Sequence, residues 1–427
     1  MQKLLIKGKC SLGGDISVHG AKNSVLPILA ATLLVNGTSV LHNVPNLSDV
    51  RVTIDILEHL GAKVIREKDT LIIDSKGINR YDIPENLMQE MRSSIIFLGS
   101  LVSRLGNASL YLPGGCEIGL RPVDLHLKGL SLLGYEICFD GNNISCTNNT
   151  AKCNKIALSF PSVGATENII LASVFLKGKT TIVNAAQEPE IEDLINFLNS
   201  AGADIKGAST PVIEINGVRE LHSTEHTIIP DRILATTLMS AAAITHSSLV
   251  LKNIKASHLI PVFSTFDEMG CKLYLDRNEL KIDSPKHLKR VKKIETQPYP
   301  GFPTDSQAPV MAALTVAKGT SIIKETIFES RFKHVAGLCR FGADIAVNDR
   351  IAIINSVKEL HCADVASTDL RGGAAMVVEA LAANGTSTIR NIEHIDRGYQ
   401  QIEKQLQLIG ADIKRIDYEE KGRKEKQ

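Results

Sequence analysis

The chain has no tryptophan, and aromatic residues make up 4% of its 427 residues. So small an aromatic inventory argues against binding single-stranded nucleic acid by stacking bases on rings. No apolar run approaches the ~18 residues that a membrane-spanning helix needs. After Lys3 the N-terminus offers only Leu4, Leu5 and Ile6 in succession, too few for the core of an export signal. A dominant charge is missing too: Lys plus Arg number 48 against 47 for Asp plus Glu, a formal net charge of +1. That balance supports no global attraction to nucleic acid or an anionic membrane, although it leaves room for a local basic site. Cys10, Cys116, Cys138, Cys146, Cys153, Cys271, Cys339 and Cys362 form no Cys-x-x-Cys pair, which speaks against a zinc ribbon or a thioredoxin-like motif. Scattered thiols without an export signal fit reduced cysteines in a cytoplasm. There is no Gly-x-Gly-x-x-Gly, no Walker loop and no Ser/His/Asp hydrolase motif, and no His/Cys/Glu cluster has metal-ligand spacing.

What is present is a repeat. With 44% hydrophobic and 22% charged residues the composition is that of a soluble globular protein, long enough for about two to four domains. A helical apolar stretch, a glycine and a strand-like run recur six times, at Gly61, Gly134, Gly202, Gly270, Gly342 and Gly410. The intervals are 73, 68, 68, 72 and 68 residues. Each glycine is expected to end a helix in the left-handed conformation and release the chain into a strand. A second marker stands 23 to 28 residues upstream of each: Gly37, Gly106, Gly178, Gly319 and Gly385, with His246 in the fourth unit.

The first unit sets the template. A strand before Lys22 is expected to open it, followed by a helix over Val25–Leu34 and a strand over Ser39–Asn43. An amphipathic helix over Asp49–Leu60 follows, capped by Ser48 or Asp49, then strands at Lys63–Arg66 and Thr70–Asp74. Six β-α-β-α-β-β units exceed one core of usual size, so two domains of three units are expected.

The same ruler locates a candidate site. Fourteen residues before each second marker stand Asn23, Arg92, Gly164, Arg232, Asp305 and Arg371, all at the expected start of a unit's first helix. Helix N-termini suit anionic ligands. An ordinary cap would account for Asn23 and Asp305 but poorly for Arg92 and Arg371, since a cation is disfavoured there unless an anion is near. Arg121, Arg331 and Arg397 fall at the turn before the second helix, and Lys22 adjoins Asn23. Such a set of cations is equipment for phosphate and carboxylate. The segment from Leu112 to Pro122 holds three glycines, two prolines and Cys116, so it is neither helix nor central strand. Arg121, five residues on, would favour the thiolate of Cys116. Cys138, Cys271 and Cys339 lie in apolar-periodic stretches and read as buried structural thiols. His394, beside Asp396 and Arg397, is the one histidine in suggestive company.

Over residues 1 to 418 these motifs resemble the UDP-N-acetylglucosamine 1-carboxyvinyltransferase family of enolpyruvyl transferases. The matching residues include Gly20-Ala21-Lys22-Asn23, Met91-Arg92-Ser93-Ser94, Pro113-Gly114-Gly115-Cys116 and Arg121-Pro122-Val123-Asp124-Leu125-His126. They continue through Ser162-Val163-Gly164-Ala165-Thr166, Glu188-Pro189-Glu190-Ile191, Pro230-Asp231-Arg232 and Phe302-Pro303-Thr304-Asp305. Phe328-Glu329-Ser330-Arg331-Phe332, Thr368-Asp369-Leu370-Arg371 and His394-Ile395-Asp396-Arg397-Gly398-Tyr399 complete the set.

The resemblance implies an α/β fold of two similar inside-out barrels, one over 22–229 and one over 1–21 plus 230–427, with the active site between them and the cysteine loop (about 112–122) as a lid. It implies transfer of the enolpyruvyl group of phosphoenolpyruvate to the 3-hydroxyl of the UDP-linked sugar by addition and elimination, the step that opens peptidoglycan synthesis. Lys22, Arg92, Arg121, Arg331, Arg371 and Arg397 would share the phosphate and carboxylate of phosphoenolpyruvate. Cys116 would protonate the methylene carbon or carry a covalent adduct, Asp305 would take the hydroxyl proton, and Asp369 would stand near the reacting carbon. Pro122, Val123, Asp124, Leu125, His126 and Leu127 would hold the uracil ring. Asn23, Ser162, Val163, Gly164 and Ile327, together with Arg92, Arg121 and Asp305, would line the sugar-nucleotide site. No metal or cofactor, no nucleic acid and no membrane is implied, and the setting is cytoplasmic. The family's epoxide antibiotic would be expected to alkylate Cys116.

Two departures bear on sugar-nucleotide affinity. Phe160-Pro161 stands where many members place a lysine that contacts the diphosphate, and Leu234 replaces a frequent acidic residue. Three alternatives compete. A 3-phosphoshikimate 1-carboxyvinyltransferase shares fold and chemistry but lacks the cysteine loop and Gly-Ala-Lys-Asn. A silent ligand-binding paralogue would be expected to lose Cys116, Asp305 or an arginine. An RNA-end cyclase would need a nucleic-acid signature, and none is present.

Overall fold

A computed structural model describes residues 1–90, 92–112 and 123–418. The six glycines that punctuate the sequence all close helices with left-handed φ, from 84° at Gly134 to 106° at Gly202. At the upstream marker His246 takes φ 54° without being a glycine. The first unit follows its template closely: a helix Lys22–Ala31 running into a 3-10 turn, a strand Thr38–His42, a helix Ser48–His59, and strands Lys63–Glu67 and Thr70–Asp74. The expected cap on the second helix is absent. Leu47 occupies that position and no side chain caps it, because the helix begins at Ser48 and takes both expected caps inside its first turn.

The strands assemble into six four-stranded sheets. In each, one edge strand lies parallel to its neighbour and the remaining pairings are antiparallel, and in four of the sheets a helical crossover joins the parallel pair. The strand that precedes Lys22 exists, at Asp15–Ser17, but it does not open the first sheet. It pairs with Ser248–Lys252 of the fourth unit, and Thr224–Thr227 completes the first sheet beside Thr38–His42. The cause is a double crossing. The Ala21 N–H donates to the Ile229 carbonyl at 2.7 Å and the Asp231 N–H to that of His19 at 2.9 Å, so each strand hands its chain to a helix on the other side. The N-terminal strand Gln2–Lys7 lies between Thr386–Arg390 and Asp412–Asp417 in the sixth sheet.

Two separate hydrophobic cores result. One runs from Val25 to Ile228, and the other joins Leu4–Val18 to Leu234–Ile413. Helices Arg232–Ile244, Thr304–Leu314 and Leu370–Ala382 pack on one another inside the second core, and Lys22–Ala31, Phe97–Leu105 and Val163–Ser173 fill the first. Sheets wrap the outside, with inward and outward residues alternating along each strand. This is the inside-out α/β barrel, built twice. Interior helices must be apolar all round, and Leu234 is one such position. Two cysteine expectations fail: Cys271 is buried, but Cys138 and Cys339 are exposed. Strand alternation turns Ile137 inward and Cys138 out, and on the Val335–Arg340 helix Val335 and Leu338 take the core side.

Glu379 is an acid in the middle of an interior helix. It is fully buried, and neither carboxyl oxygen finds a hydrogen bond. The Thr315 hydroxyl beside it donates instead to the Ala312 carbonyl at 2.7 Å. Burial pushes this carboxyl well above the usual range, so it stays protonated in the fold. The unfolded chain ionises it at the ordinary value. Its contribution to stability is therefore whole below that value and is lost as pH rises through the folded-state value. Replacing Glu379 with Met should raise stability at pH 8 by about 1–3 kcal/mol, and by less at pH 4. Denaturant melts at the two pH values check this, and equal effects at both would refute it.

Candidate active site

Of the helix starts singled out by the repeat, Asn23, Asp305 and Arg371 come together where the two cores meet, in a cleft arranged around two carboxylates. Asp49 is the first. It lies one residue into Ser48–His59, with its side chain 3% exposed. Lys22 Nζ contacts Oδ2 at 2.7 Å, while Arg397 donates from Nε and Nη2 at 2.9 and 3.2 Å. Burial pushes Asp49 up, but Lys22 and Arg397 outweigh it and hold the carboxyl below its ordinary value. For Lys22, burial and the Arg397 and Arg371 charges outweigh Asp49 and pull the ammonium below its usual range. Asp305 is the second carboxylate. Arg331 and Arg371 each donate from Nη2, one to each oxygen, at 2.9 Å, and the Asn23 amide approaches at 3.4 Å.

The surrounding groups fix these cations. Arg371 Nη1 donates to Tyr399 Oη at 3.3 Å, and that hydroxyl also bonds Thr237 at 2.9 Å. Arg331 donates to the Thr304 carbonyl at 3.3 Å. Asp369 caps Leu370–Ala382 by accepting from the Arg371 and Gly372 N–H groups at 3.0 Å. Burial opposes its ionisation, but Arg331 and the Gly372 N–H hold it below the usual aspartate range. His334 is buried with its Nδ1 3.1 Å from the Arg331 carbonyl, and burial lowers it to about 4, so it is neutral at pH 7. Arg232, expected to share the site, turns to the junction instead. It makes a bidentate pair with Glu190 at 2.9 and 3.1 Å and faces the Tyr299 ring.

The other expected ligand residues lie on the first core. Ser162 caps Val163–Ser173 by accepting from the Ala165 N–H at 3.4 Å. Gly164 lies against the His126 ring, so closely that a Cβ there would stand 2.9 Å from it. Burial lowers His126 to about 4, so its neutral ring can accept from the Asn168 amide at 3.0 Å. Val123, Leu125 and Leu127 pack against the same core, and Asp124 is exposed. In the second half the Ile327 N–H donates to Glu325 at 2.8 Å. Phe160 is exposed, and its carbonyl accepts from the Ser162 N–H at 2.7 Å. Cys116, Arg121, Pro122 and the Arg92 side chain lie outside the described residues.

Asp49 was missed as a site residue, although the repeat could have found it. Asp49, Arg121, Glu190, His258, Arg331 and Arg397 stand 11 to 13 residues before the six cap glycines. In the repeat these are equivalent positions at the start of each unit's second helix, and an aspartate there reads as a cap.

Interior helices under six external sheets, with a cation-lined site where two such cores meet, define a class of protein. The chain belongs to the EPSP synthase (3-phosphoshikimate 1-carboxyvinyltransferase) family, whose model matches residues 6–406. Within that class, a UDP-N-acetylglucosamine 1-carboxyvinyltransferase 2 from Caldanaerobacter subterraneus is 51% identical over 97% of this chain and 100% of its own length. A UDP-N-acetylglucosamine 1-carboxyvinyltransferase from Finegoldia magna is 46% identical over 98% of this chain and 100% of its own. Among solved structures, the enolpyruvyl transferase NikO from Streptomyces tendae superposes with a TM-score of 0.87 at 25% identity, covering 97% of this chain and 98% of that one. An EPSP synthase from Acinetobacter baumannii gives 0.74 at 18% identity over 98% and 100%, a likeness of fold.

If Asp49 is the counter-charge that keeps Lys22 and Arg397 together, Asp49→Asn should cost about 3 kcal/mol. Inorganic phosphate should then raise the melting temperature of the variant more than that of the unmodified protein. Equal phosphate shifts in thermal melts would count against this role.

Proposed function

We propose that the cleft transfers the enolpyruvyl group of phosphoenolpyruvate to the 3-hydroxyl of UDP-N-acetylglucosamine, with release of phosphate. The observation that carries the chemistry is the convergence of Lys22, Arg331, Arg371 and Arg397 on two carboxylates. Four cations are more than two aspartates need, and they suit a substrate bearing both a phosphate and a carboxylate. The choice of acceptor rests on the full-length relatives, which carry the name of the sugar-nucleotide enzyme. The step belongs to peptidoglycan synthesis and would run in the cytoplasm.

In the first half-reaction the sugar hydroxyl oxygen bonds to C2 of phosphoenolpyruvate, and the methylene carbon gains a proton and becomes a methyl group. In the second, the methyl group gives a proton back, the C2–O bond to phosphate breaks, and the vinyl ether forms. Asp305 is assigned the hydroxyl proton and Cys116 the proton to carbon. Asp305 cannot take a proton readily while two guanidiniums grip it. An arriving substrate anion competes for Arg331 and Arg371 and so loosens the base as it binds. Asn23, 3.4 Å from Asp305, is placed to orient the acceptor hydroxyl. The cations would stabilise charge on the departing phosphate. Asp369 fixes the Arg371 backbone and adds negative potential near the reacting carbon. Ser162, Val163, Gly164, Ile327 and the segment after Arg121 are assigned to the sugar nucleotide.

Phosphate release from phosphoenolpyruvate, measured with UDP-N-acetylglucosamine and in parallel with shikimate 3-phosphate, tests this reading. Release is expected with the sugar nucleotide alone. Release only with shikimate 3-phosphate would keep the chemistry and overturn the acceptor, and release with neither would leave a silent ligand-binding protein. Cys116→Ser and Asp305→Ala should each lower kcat by at least about 100-fold. An epoxide that mimics phosphoenolpyruvate should add its mass to Cys116, detectable on the intact protein.

A further inference from the structure

Arg397 stands in a short connection between two short helices, Glu393–Asp396 and Ile402–Leu408. No long helix fixes this segment, yet three of its residues reach the cleft. Arg397 grips Asp49, Tyr399 holds Arg371, and the Gln400 side chain accepts from the Asn46 N–H at 2.9 Å. Gln401 turns the chain within the segment at a left-handed φ of 44°.

One residue closes both ends of the connection. Arg415, on the strand Asp412–Asp417, donates from Nη1 and Nη2 to Asp396 at 2.8 and 2.7 Å. From Nε and Nη2 it donates to Glu403 at 3.1 and 3.0 Å. Its remaining Nη1 hydrogen goes to the Gln2 side chain at 3.1 Å. All five guanidinium N–H groups are thereby used. Asp396 immediately precedes Arg397, and Glu403 lies in the first turn of the following helix. Two carboxylates seven positions apart in the chain share one cation, so the ends of the connection cannot separate. The strand that carries Arg415 is itself paired with Gln2–Lys7 along its length. An ion pair that served only stability could join any two surfaces. This one brackets the residues that meet across the cleft.

We propose that Arg415 is a positioning residue for enolpyruvyl transfer. It fixes the 396–403 bracket so that Arg397 meets the substrate anion where it now meets Asp49. The inference rests on the function proposed above. A lysine keeps the charge but cannot span two carboxylates with a planar fork, so Arg415→Lys separates charge from geometry.

The test is steady-state kinetics of R415K against each substrate. The KM for phosphoenolpyruvate should rise roughly tenfold or more, as misplacement of a binding group predicts, with the KM for UDP-N-acetylglucosamine within about twofold. E403Q should shift the same constant in the same direction, and adding it to R415K should change little further, since both break one contact. Q2A removes the fifth acceptor but lies outside the bracket, and should leave the constant unchanged. An unaltered KM for phosphoenolpyruvate in R415K would overturn the proposal. So would a fall in kcat alone that tracks the folded fraction by circular dichroism. If R415K does not fold, E403Q decides by the same two criteria. If the unmodified protein releases no phosphate with the sugar nucleotide, the functional reading fails and takes this inference with it.

Discussion

Cations held close together in a poorly hydrated space repel one another unless carboxylates separate them, and the cleft is arranged around that constraint. Lys22 and Arg397 share Asp49, and Arg331 and Arg371 share Asp305. The sharing spans the junction of the two cores. Asp49 belongs to the first half and Arg397 to the second, while Asn23 reaches from the first half to Asp305 in the second. The charges that await a substrate therefore also join the two halves.

In the proposed function, anion binding therefore acts on the same charges that join the two halves. A phosphate or carboxylate entering the cleft offers the cations a better partner than an aspartate, because it can be met from several sides at once. Each cation that changes partner releases an aspartate. One of those, Asp305, is assigned a proton-transfer role, so binding the anionic substrate and freeing the base become one event. Farther out, the buried Arg232–Glu190 pair ties the junction without entering the cleft. Glu167 and Glu188 stand near it, and burial raises both carboxyls. Both therefore hold their protons more strongly than an exposed glutamate would.

The architecture was legible because its signal is geometric. A left-handed glycine after each second helix cannot be replaced cheaply, so its spacing survives in the sequence as a ruler. That ruler placed the starts of five of the six interior helices within a residue, while the second, Phe97–Leu105, begins five residues past Arg92 after a 3-10 turn. It could not show that Asp15–Ser17 pairs with the fourth unit, because strand order depends on which sheet edge is open, and no local pattern encodes that. Nor could it tell Arg232 from Arg371. Both begin interior helices, but Arg232 meets Glu190 across the junction while Arg371 meets Asp305 in the cleft. Asp49 was read as a helix cap because an aspartate in a first turn usually is one. Its burial between two cations is a tertiary fact. The roles of Cys116 and of the uracil-binding segment came from resemblance to a family, and composition supplied only an unusual glycine-rich loop.

The repeat also explains why so few residues can carry the chemistry. Among the described residues, the turns that meet at the junction come before both helices of a unit, as Lys22 and Asp49 show in the first. Among the described residues, the starts of the second helices carry Asp49, Glu190, His258, Arg331 and Arg397. Acid and base had to be chosen together, because an unpaired charge at a buried turn costs more than the fold can spare. The complementarity between the halves is then the condition under which two cores of the same design can meet at all, and the site for an anionic substrate follows from it.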